Sequence, residues 1–430
     1  MKKILAIAIF DVGKTNKKLL LFDEHYKIVY EENVQLKETK DEDGFACEDI
    51  NALTAWIKNS FYKIINDERF EIVAVNFSGY GASFVYLDDD GNICAPLYNY
   101  LKPYPEDLQN QFYKKYGGEK LFAKLTASPV LGNLNSGMQL YRLKYEKPEL
   151  FDKIKYALHL PQYLAYILTR KVATDITSVG CHTNLWNFTE NKYHDWVNEE
   201  NIDEKFAPII ACDETTIFEI NNKKLIAGFG LHDSSAALIP YMKFINEPFV
   251  LISTGTWCIS LNPFNHSPLT DNELENDCLC YLSYDGKPVK ASRLFAGYEH
   301  EEKVKLLSAQ FNKPLDYFTT VVYNEKFLAD SINTNSNYES AYHFLIRDII
   351  NQQIKSTNLV LKNSSVKKIF VDGGFSKNEI YMQLLAKAFP EMEIFAASVS
   401  QATALGAALV IHEKWNKNVI NKDVVKMKLY

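Results

Sequence analysis

Near the start of the chain, a carboxylate, a glycine and three polar side chains fall together in Asp11-Val12-Gly13-Lys14-Thr15-Asn16. A turn built from Gly, Thr and Asn offers backbone N–H groups and hydroxyls to phosphate oxygens. Asp11, just before it, can hold Mg2+ directly or through water. The alternative is an ordinary hairpin turn that uses Gly13 for its conformational freedom. Gly13-Lys14-Thr15 also matches the end of a P-loop. That motif requires a glycine where Ala8 stands, and a helix where Leu19 to Phe22 reads as a strand, and both argue against a P-loop NTPase. A second turn, Ser253-Thr254-Gly255-Thr256, carries the same chemistry. Two such turns facing one another would clamp a triphosphate from both sides.

Two further stretches stand out. In Gly230-Leu231-His232-Asp233-Ser234-Ser235-Ala236-Ala237, an Asp precedes small residues at a helix start. Asp233 is either an N-cap or a base that accepts a proton from a hydroxyl attacking a phosphoryl group. In Gly373-Gly374-Phe375-Ser376-Lys377-Asn378-Glu379, adjacent glycines let a flat ligand approach the backbone, or simply make a tight strand-to-helix turn.

The elements that position these groups are legible from apolar runs. Ile4 to Phe10 and Leu19 to Asp23 flank the first turn and predict a hairpin, with a third strand beginning near Ile28. Phe249 to Ile252 and Trp257 to Leu261 flank the second turn in the same way. Each half has a later buried-strand pattern ending in glycine, Ile72 to Gly79 and Lys368 to Gly374. The order matches, so a duplicated α/β domain is the simplest account, with the boundary near Asn246-Glu247-Pro248. Ser376 and Glu379 form a capping-box pattern, followed by Ile380, Leu384 and Ala388 on one face and Pro390 as a stop. Ala341, Leu345 and Ile349 mark another helix, and Ala402 to Ala408 a small-residue helix suited to close packing.

Composition narrows the class. The chain has 430 residues, which suggests two domains. The net charge of −7 argues against nucleic-acid binding. Seven cysteines at irregular spacing suggest buried thiols rather than a disulfide framework or a zinc site. The apolar start ends at Asp11 without a cleavage pattern, and no run reaches transmembrane length, so a cytoplasmic protein without a membrane partner is expected.

The ordered set of motifs resembles the FGGY carbohydrate kinases over nearly the whole chain. Asp11 to Asn16 is similar to that family's first phosphate motif, and Gly230 to Ala237 to the segment bearing its catalytic Asp. Ser253 to Thr256 resembles the second phosphate motif, Gly373 to Asn378 the adenosine motif, and Gln401 to Ala408 its following helix. The resemblance implies an α/β architecture of two actin-like (ribonuclease H-like) domains, residues 1–245 and 246–430, with ATP and sugar in an interdomain cleft. It implies Asp233 as base, Asp11 as the Mg2+ residue, and Gly13, Lys14, Thr15, Asn16, Thr254, Gly255, Thr256, Gly373, Gly374, Ser376 and Asn378 around ATP. The family commonly has Thr at the place of Lys14, and Tyr98-Asn99-Tyr100-Leu101-Lys102 stands where many members carry Trp-x-Asp-x-Arg for the sugar. Sugar contacts are sought in the first half at Ser78, Gly79, Tyr98, Asn99, Gln162 and His182, beside Asp233. The implied reaction is ATP-dependent phosphorylation of a ketose, L-fuculose or L-rhamnulose first, with xylulose, ribulose and glycerol open. An actin-like ATPase or a non-catalytic sugar-binding relative are the readings from other classes. A monomer and a homodimer both stay open.

Overall fold

The computed structural model describes residues 3–328, 337–421 and 424–430. The chain divides into two compact units. The first comprises residues 1–242, 280–288 and 400–424, and the second 243–279, 289–399 and 425–430.

The first unit is built on a mixed sheet. Strand β1 (Ile4–Val12) pairs antiparallel with β2 (Lys17–Asp23), which pairs with β3 (Ile28–Val34). On its other side β1 pairs parallel with Phe70–Gly79, and that strand pairs parallel with Lys223–Gly228 and Leu231–His232. β1 is buried along almost its whole length because both faces of the sheet are covered, which explains its unbroken apolar run. Helix α1 (Ile50–Ile65) packs on one face. Asp49 caps it by accepting from the N–H groups of Asn51 and Ala52, and Leu53, Ile57, Phe61 and Ile64 recur at helical spacing and are buried. Phe10 stacks on Phe77 with ring centroids 5.9 Å apart, which welds β1 to its parallel neighbour. Each such side chain contributes about 1.5–3 kcal/mol of apolar burial. A second aromatic cluster around Phe112, Tyr141 and Trp196 supports the loops between residues 84 and 206.

The segment 400–424 belongs to this first unit. Its helix Ala402–Val410 lies so close to the helix Asp233–Phe244 that a Cβ on Gly406 would fall 1.8 Å from the Ala236 carbonyl oxygen. Asn76 spans the junction, donating from Nδ2 to Ala407 O at 2.8 Å and accepting the Gly230 N–H at 3.1 Å. Tyr26 meets His412 Nδ1 at 2.6 Å, and Asn416 donates to Glu24 O at 2.9 Å.

The second unit repeats the pattern. Phe249–Thr254 pairs antiparallel with Cys258–Asn262 and parallel with Lys368–Gly373, and Glu393–Ser398 adds a further parallel strand. The helix Tyr338–Leu361 packs on this sheet through a face that includes Ala341, Leu345 and Ile349. All seven cysteines are free thiols.

Candidate active site

In the first unit, three neighbouring parallel strands end side by side. Asp11 is in register with Ser78, Val12 with Gly79, and Gly79 with His232. The carboxyl ends of parallel strands are where open α/β sheets place ligands, and the ladder brings Asp11, Ser78 and Asp233 to one edge from residues far apart in sequence. Ser78 donates to Asp11 Oδ1 at 2.9 Å. Burial pushes Asp11 up to about 6, against the Ser78 hydrogen bond and with the help of the Asp233 charge. Asp233 opens its helix and accepts the Ser234 N–H at 2.6 Å, so it bonds its immediate neighbour rather than capping the second or third turn residue. Burial also lifts Asp233 to about 6, while 31% of its side-chain surface stays open to solvent.

His232 Nε2 lies 3.1 Å from Asp233 Oδ1 and 3.1 Å from Cys181 Sγ. Burial pushes His232 down to about 4, so near neutral pH the imidazole is uncharged. Nδ1 is buried without a partner, which favours the tautomer carrying its proton on Nε2 and donating to Asp233. This orienting contact was not singled out from sequence, although the His-Asp pair itself was in view.

The first turn is closed by Gly13 N–H donating to Asn16 O at 3.0 Å. The N–H groups of Lys14, Thr15 and Asn16 donate to no backbone carbonyl among the described residues, so they are available to an anion. Thr15 is exposed, and the Asn16 side chain accepts from Gln35 at 2.9 Å. Lys14 pairs with Glu38 at 3.1 Å and lies over the rings of Tyr80 and Tyr100. Lys18 donates to Gln401 Oε1 at 2.9 Å and its charge lowers Asp11.

The sugar candidates separate. Ser78 and Gly79 sit at the edge beside Asp233's helix. Gln162 donates to Gly230 O at 2.8 Å and leaves a buried Oε1 without a partner, an acceptor turned toward no protein donor. His182 takes positive φ and contacts Leu134 O at 3.1 Å. Tyr98 and Asn99 are committed elsewhere. The Tyr98 hydroxyl donates to Glu42 at 2.5 Å, and Asn99 accepts from Leu101 N–H while donating to Ala46 O at 3.1 Å. Lys102, where the resemblance would place an Arg, is buried against Asp41 at 2.5 Å and Asp43 at 2.6 Å. Burial, and then the Asp233 charge, raises the phenol of Tyr100, which stands at the position of the motif's Asp.

In the second unit, Thr254 is in register with Gly373. Its hydroxyl donates to Asp372 O at 2.5 Å and accepts the Phe375 N–H at 3.0 Å, and its carbonyl accepts the Gly374 N–H at 3.0 Å. Gly373 has φ +93°, and a Cβ there would lie 1.9 Å from Thr254 O. Hairpin and glycine turn are therefore one locked piece. Gly255 and Thr256 are exposed at its tip, where Thr256 O accepts the Tyr298 N–H at 3.1 Å.

The capping box is corrected. Ser376 lies in a 3-10 turn, Phe375–Lys377, and donates to Gly373 O at 2.8 Å. Asn378 is the cap, accepting the Tyr381 N–H at 3.0 Å and donating to Tyr342 Oη at 2.7 Å. The helix Glu379–Ala388 accordingly buries Ile380, Tyr381 and Leu385, with Leu384 and Ala388 only half-buried.

Beside this piece is a cavity of about 670 Å3, lined by Thr254, Gly255, His300, Phe318, Gly374, Phe375 and Asn378 among others. His300 stands edge-on to Phe318 and Phe375 and meets Tyr342 Oη at 2.9 Å, and burial pushes it down to about 4. Its volume and aromatic lining suit a flat heterocycle. Neither His300 nor Phe318 carries a local sequence signal. Each reaches the cavity only because the helix Ala296–Phe311 and the turn Tyr317–Thr320 fold beside the glycine turn.

Among the described residues no group of three or more His, Cys, Asp or Glu side chains forms a metal site, and no helix is long and apolar enough to cross a membrane. Comparison with known proteins follows the same outline. Residues 6–233 match the N-terminal domain of the FGGY family of carbohydrate kinases, and 246–335 and 339–411 match C-terminal domains of the same family. A rhamnulokinase from Halalkalibacterium halodurans is 24% identical over 58% of this chain and 52% of that protein, so the chain spans about half the length of that relative. A rhamnulokinase from Oceanobacillus iheyensis is 21% identical over 86% of this chain and 84% of its own. A solved carbohydrate kinase from Novosphingobium aromaticivorans superposes with a TM-score of 0.82 at 20% identity, covering 100% of this chain and 94% of that one. These neighbours have the two-domain actin-like α/β fold, with mixed sheets flanked by helices as seen here. Because the N-terminal family model alone spans more than half of the residues, the chain belongs to the FGGY family of carbohydrate kinases.

Proposed function

We propose that the chain is an ATP-dependent sugar kinase that phosphorylates a hydroxyl of a ketose, with L-rhamnulose the first candidate and L-fuculose next. The observation that carries this reading is the partly open Asp233, held by a neutral His232 donor beside Asp11 and Ser78. The rhamnulokinase relatives support the choice of sugar.

Asp233 takes the proton of the sugar hydroxyl. The hydroxyl oxygen forms a bond to the γ-phosphorus, the bond from that phosphorus to the β-phosphate oxygen breaks, and ADP leaves. The His232 contact fixes the Asp233 rotamer, leaving its second oxygen for the substrate. The open N–H groups of Lys14, Thr15 and Asn16, with Gly13 allowing the approach, and that of Thr256, beside Gly255, donate to phosphate oxygens. Asp11 would hold Mg2+, with water and phosphate oxygens completing its shell, and the ion would offset charge on the transferring group. One partly open carboxylate fits a cation that keeps most of its own water. The cavity beside Gly373 and Gly374 takes adenosine, with Ser376 and Asn378 shaping the turn that forms its wall. On this reading residues 1–245 carry the sugar and first-phosphate chemistry and residues 246–430 the nucleotide, with 400–424 of the latter completing the first unit. Ser78, Gly79, Gln162 and His182 are the sugar contacts to test first. The cytoplasm, where free ATP is abundant, is the compartment that fits this reading.

The test is ADP release with MgATP across ketoses, aldoses and polyols, with Asp233→Ala as control. Release with rhamnulose alone, absent in the variant, supports the reading. Release that ignores every sugar would replace it with an actin-like ATPase, and sugar binding without turnover with a binding protein.

A further inference from the structure

Lys17 is the first residue of β2, yet its side chain is only 2% exposed. Strand alternation turns it inward with Leu19, while Lys18 between them stays half-buried. Lysine is rarely buried unless paired, and here Nζ lies 2.7 Å from Glu48 Oε1, itself 4% exposed. The ammonium makes a second contact, donating to Lys14 O in the first turn at 2.9 Å. Glu48 is held in turn by Tyr80, whose hydroxyl donates to Oε2 at 3.2 Å and whose N–H donates to Val12 O at 3.1 Å. Glu48 also bridges to Leu97 through its backbone. One buried ion pair thus ties together β1, the turn, and the chain on either side of them.

A pair like this is weak evidence for stability, since apolar side chains of similar size often serve a fold as well. Its geometry suggests another use. The peptide linking Lys14 and Thr15 is planar and trans, so its C=O and N–H point in opposite directions. Holding Lys14 O down onto the buried ammonium aims the Thr15 N–H up and out of the turn. It also turns the negative end of that peptide dipole away from an incoming phosphate.

We propose that Lys17 is a positioning residue, acting through its pair with Glu48 to set the peptide between Lys14 and Thr15 so that the first turn presents N–H groups to phosphate. The proposal rests on the phosphate-binding role given to this turn above. Lys17 itself touches no substrate.

Lys17→Met alone would strand a buried carboxylate, so the test uses the double variant Lys17→Met/Glu48→Gln, which removes both charges, and Tyr80→Phe, which keeps the pair and loosens only its anchor. Affinity for MgATP is read by calorimetric titration without sugar, beside kcat and both KM values and a thermal melt. The expected result for the double variant is a melt close to the parent, ATP affinity weakened about tenfold or more, and an unchanged sugar KM. Tyr80→Phe shifts ATP affinity the same way by less. ATP binding within twofold of the parent, or ATP and sugar parameters falling together, overturns the proposal. Should the double variant not fold, Tyr80→Phe decides: a weaker ATP affinity with an unchanged sugar KM supports the proposal, and an unchanged ATP affinity overturns it. A parent that binds ATP but turns over with no sugar, while the double variant binds ATP more weakly, removes the kinase reading and leaves the positioning role standing. A parent that binds no ATP removes both.

Discussion

The two units use one plan for different ends. In each, a hairpin strand lies parallel to a second strand, and the polar turns gather at the same end of the sheet. In the first unit that end carries Asp11, Ser78 and Asp233, two of them carboxyls lifted to about 6 by burial. In the second unit the last pair of the same ladder, at the places of Val12 and Gly79, is Thr254 and Gly373, and the Thr254 hydroxyl and carbonyl are spent on Asp372, Gly374 and Phe375. The first edge keeps reactive groups partly unsatisfied. The second is satisfied and stiff. A carboxyl that must accept a proton needs an incomplete set of partners, whereas a wall against a flat ligand needs a fixed shape, so the same topology is tuned in opposite directions.

The largest expected break in that contrast is Asp233→Asn, which keeps shape and removes the base. It should lower kcat by at least about a hundredfold while MgATP affinity, read by calorimetry, stays near the parent. Next comes pH. A protonated Asp233 cannot take the hydroxyl proton, so kcat/KM is retained above about 6 and lost as pH falls through it. The acid limb should drop about tenfold per pH unit; a profile flat down to pH 4.5 would contradict Asp233 as base.

A smaller effect is expected on the rigid edge. Thr254→Val keeps volume but strands the buried Phe375 N–H, at a cost of about 1–3 kcal/mol in the thermal or denaturant stability of the second unit. ATP affinity should fall with it, and sugar KM should not. The smallest change is Lys14→Ala. Its pair with Glu38 is substantially solvated, so stability should move by less than about 1 kcal/mol and ATP KM by about threefold or less. A large loss would show that the Lys14 charge itself serves the phosphates.

What the chain disclosed in advance was whatever a short stretch encodes by itself. β1, β2 and the strands ending at Gly79 and Gly373 were legible because an unbroken apolar run bounded by Gly and Asp has few other foldings. The turn at Gly13 and the Asp at 233 followed from residue chemistry, and their joint order carried the resemblance. The Ser376 capping box failed because a 3-10 turn intervenes after Gly374 and moves the start of the helix to Asn378, a competition that local pattern alone cannot settle. Tyr98 and Lys102 were out of reach because their partners, Asp41, Glu42 and Asp43, lie more than fifty residues upstream. His300 and Lys17 were missed for the same kind of reason. One reads as an exposed helical polar residue and the other as a surface lysine until tertiary packing encloses them.

The close fit of Gly406 on Ala236 and the Asn76 bonds to Ala407 and Gly230 bear on how the molecule is made. The first unit draws mostly on residues made before the second unit, but it is finished by residues 400–424, made after nearly all of that second unit. Until that helix arrives, the Asn76 amide lacks its acceptor and the Ala236 backbone lacks its cover. The nascent first unit must wait, incomplete and open to misassociation, while residues 243–399, most of them in the second unit, are synthesised. Cutting the chain near residue 242 would therefore yield a fragment missing part of its own core, and expression of the first unit alone calls for a linker that restores residues 400–424.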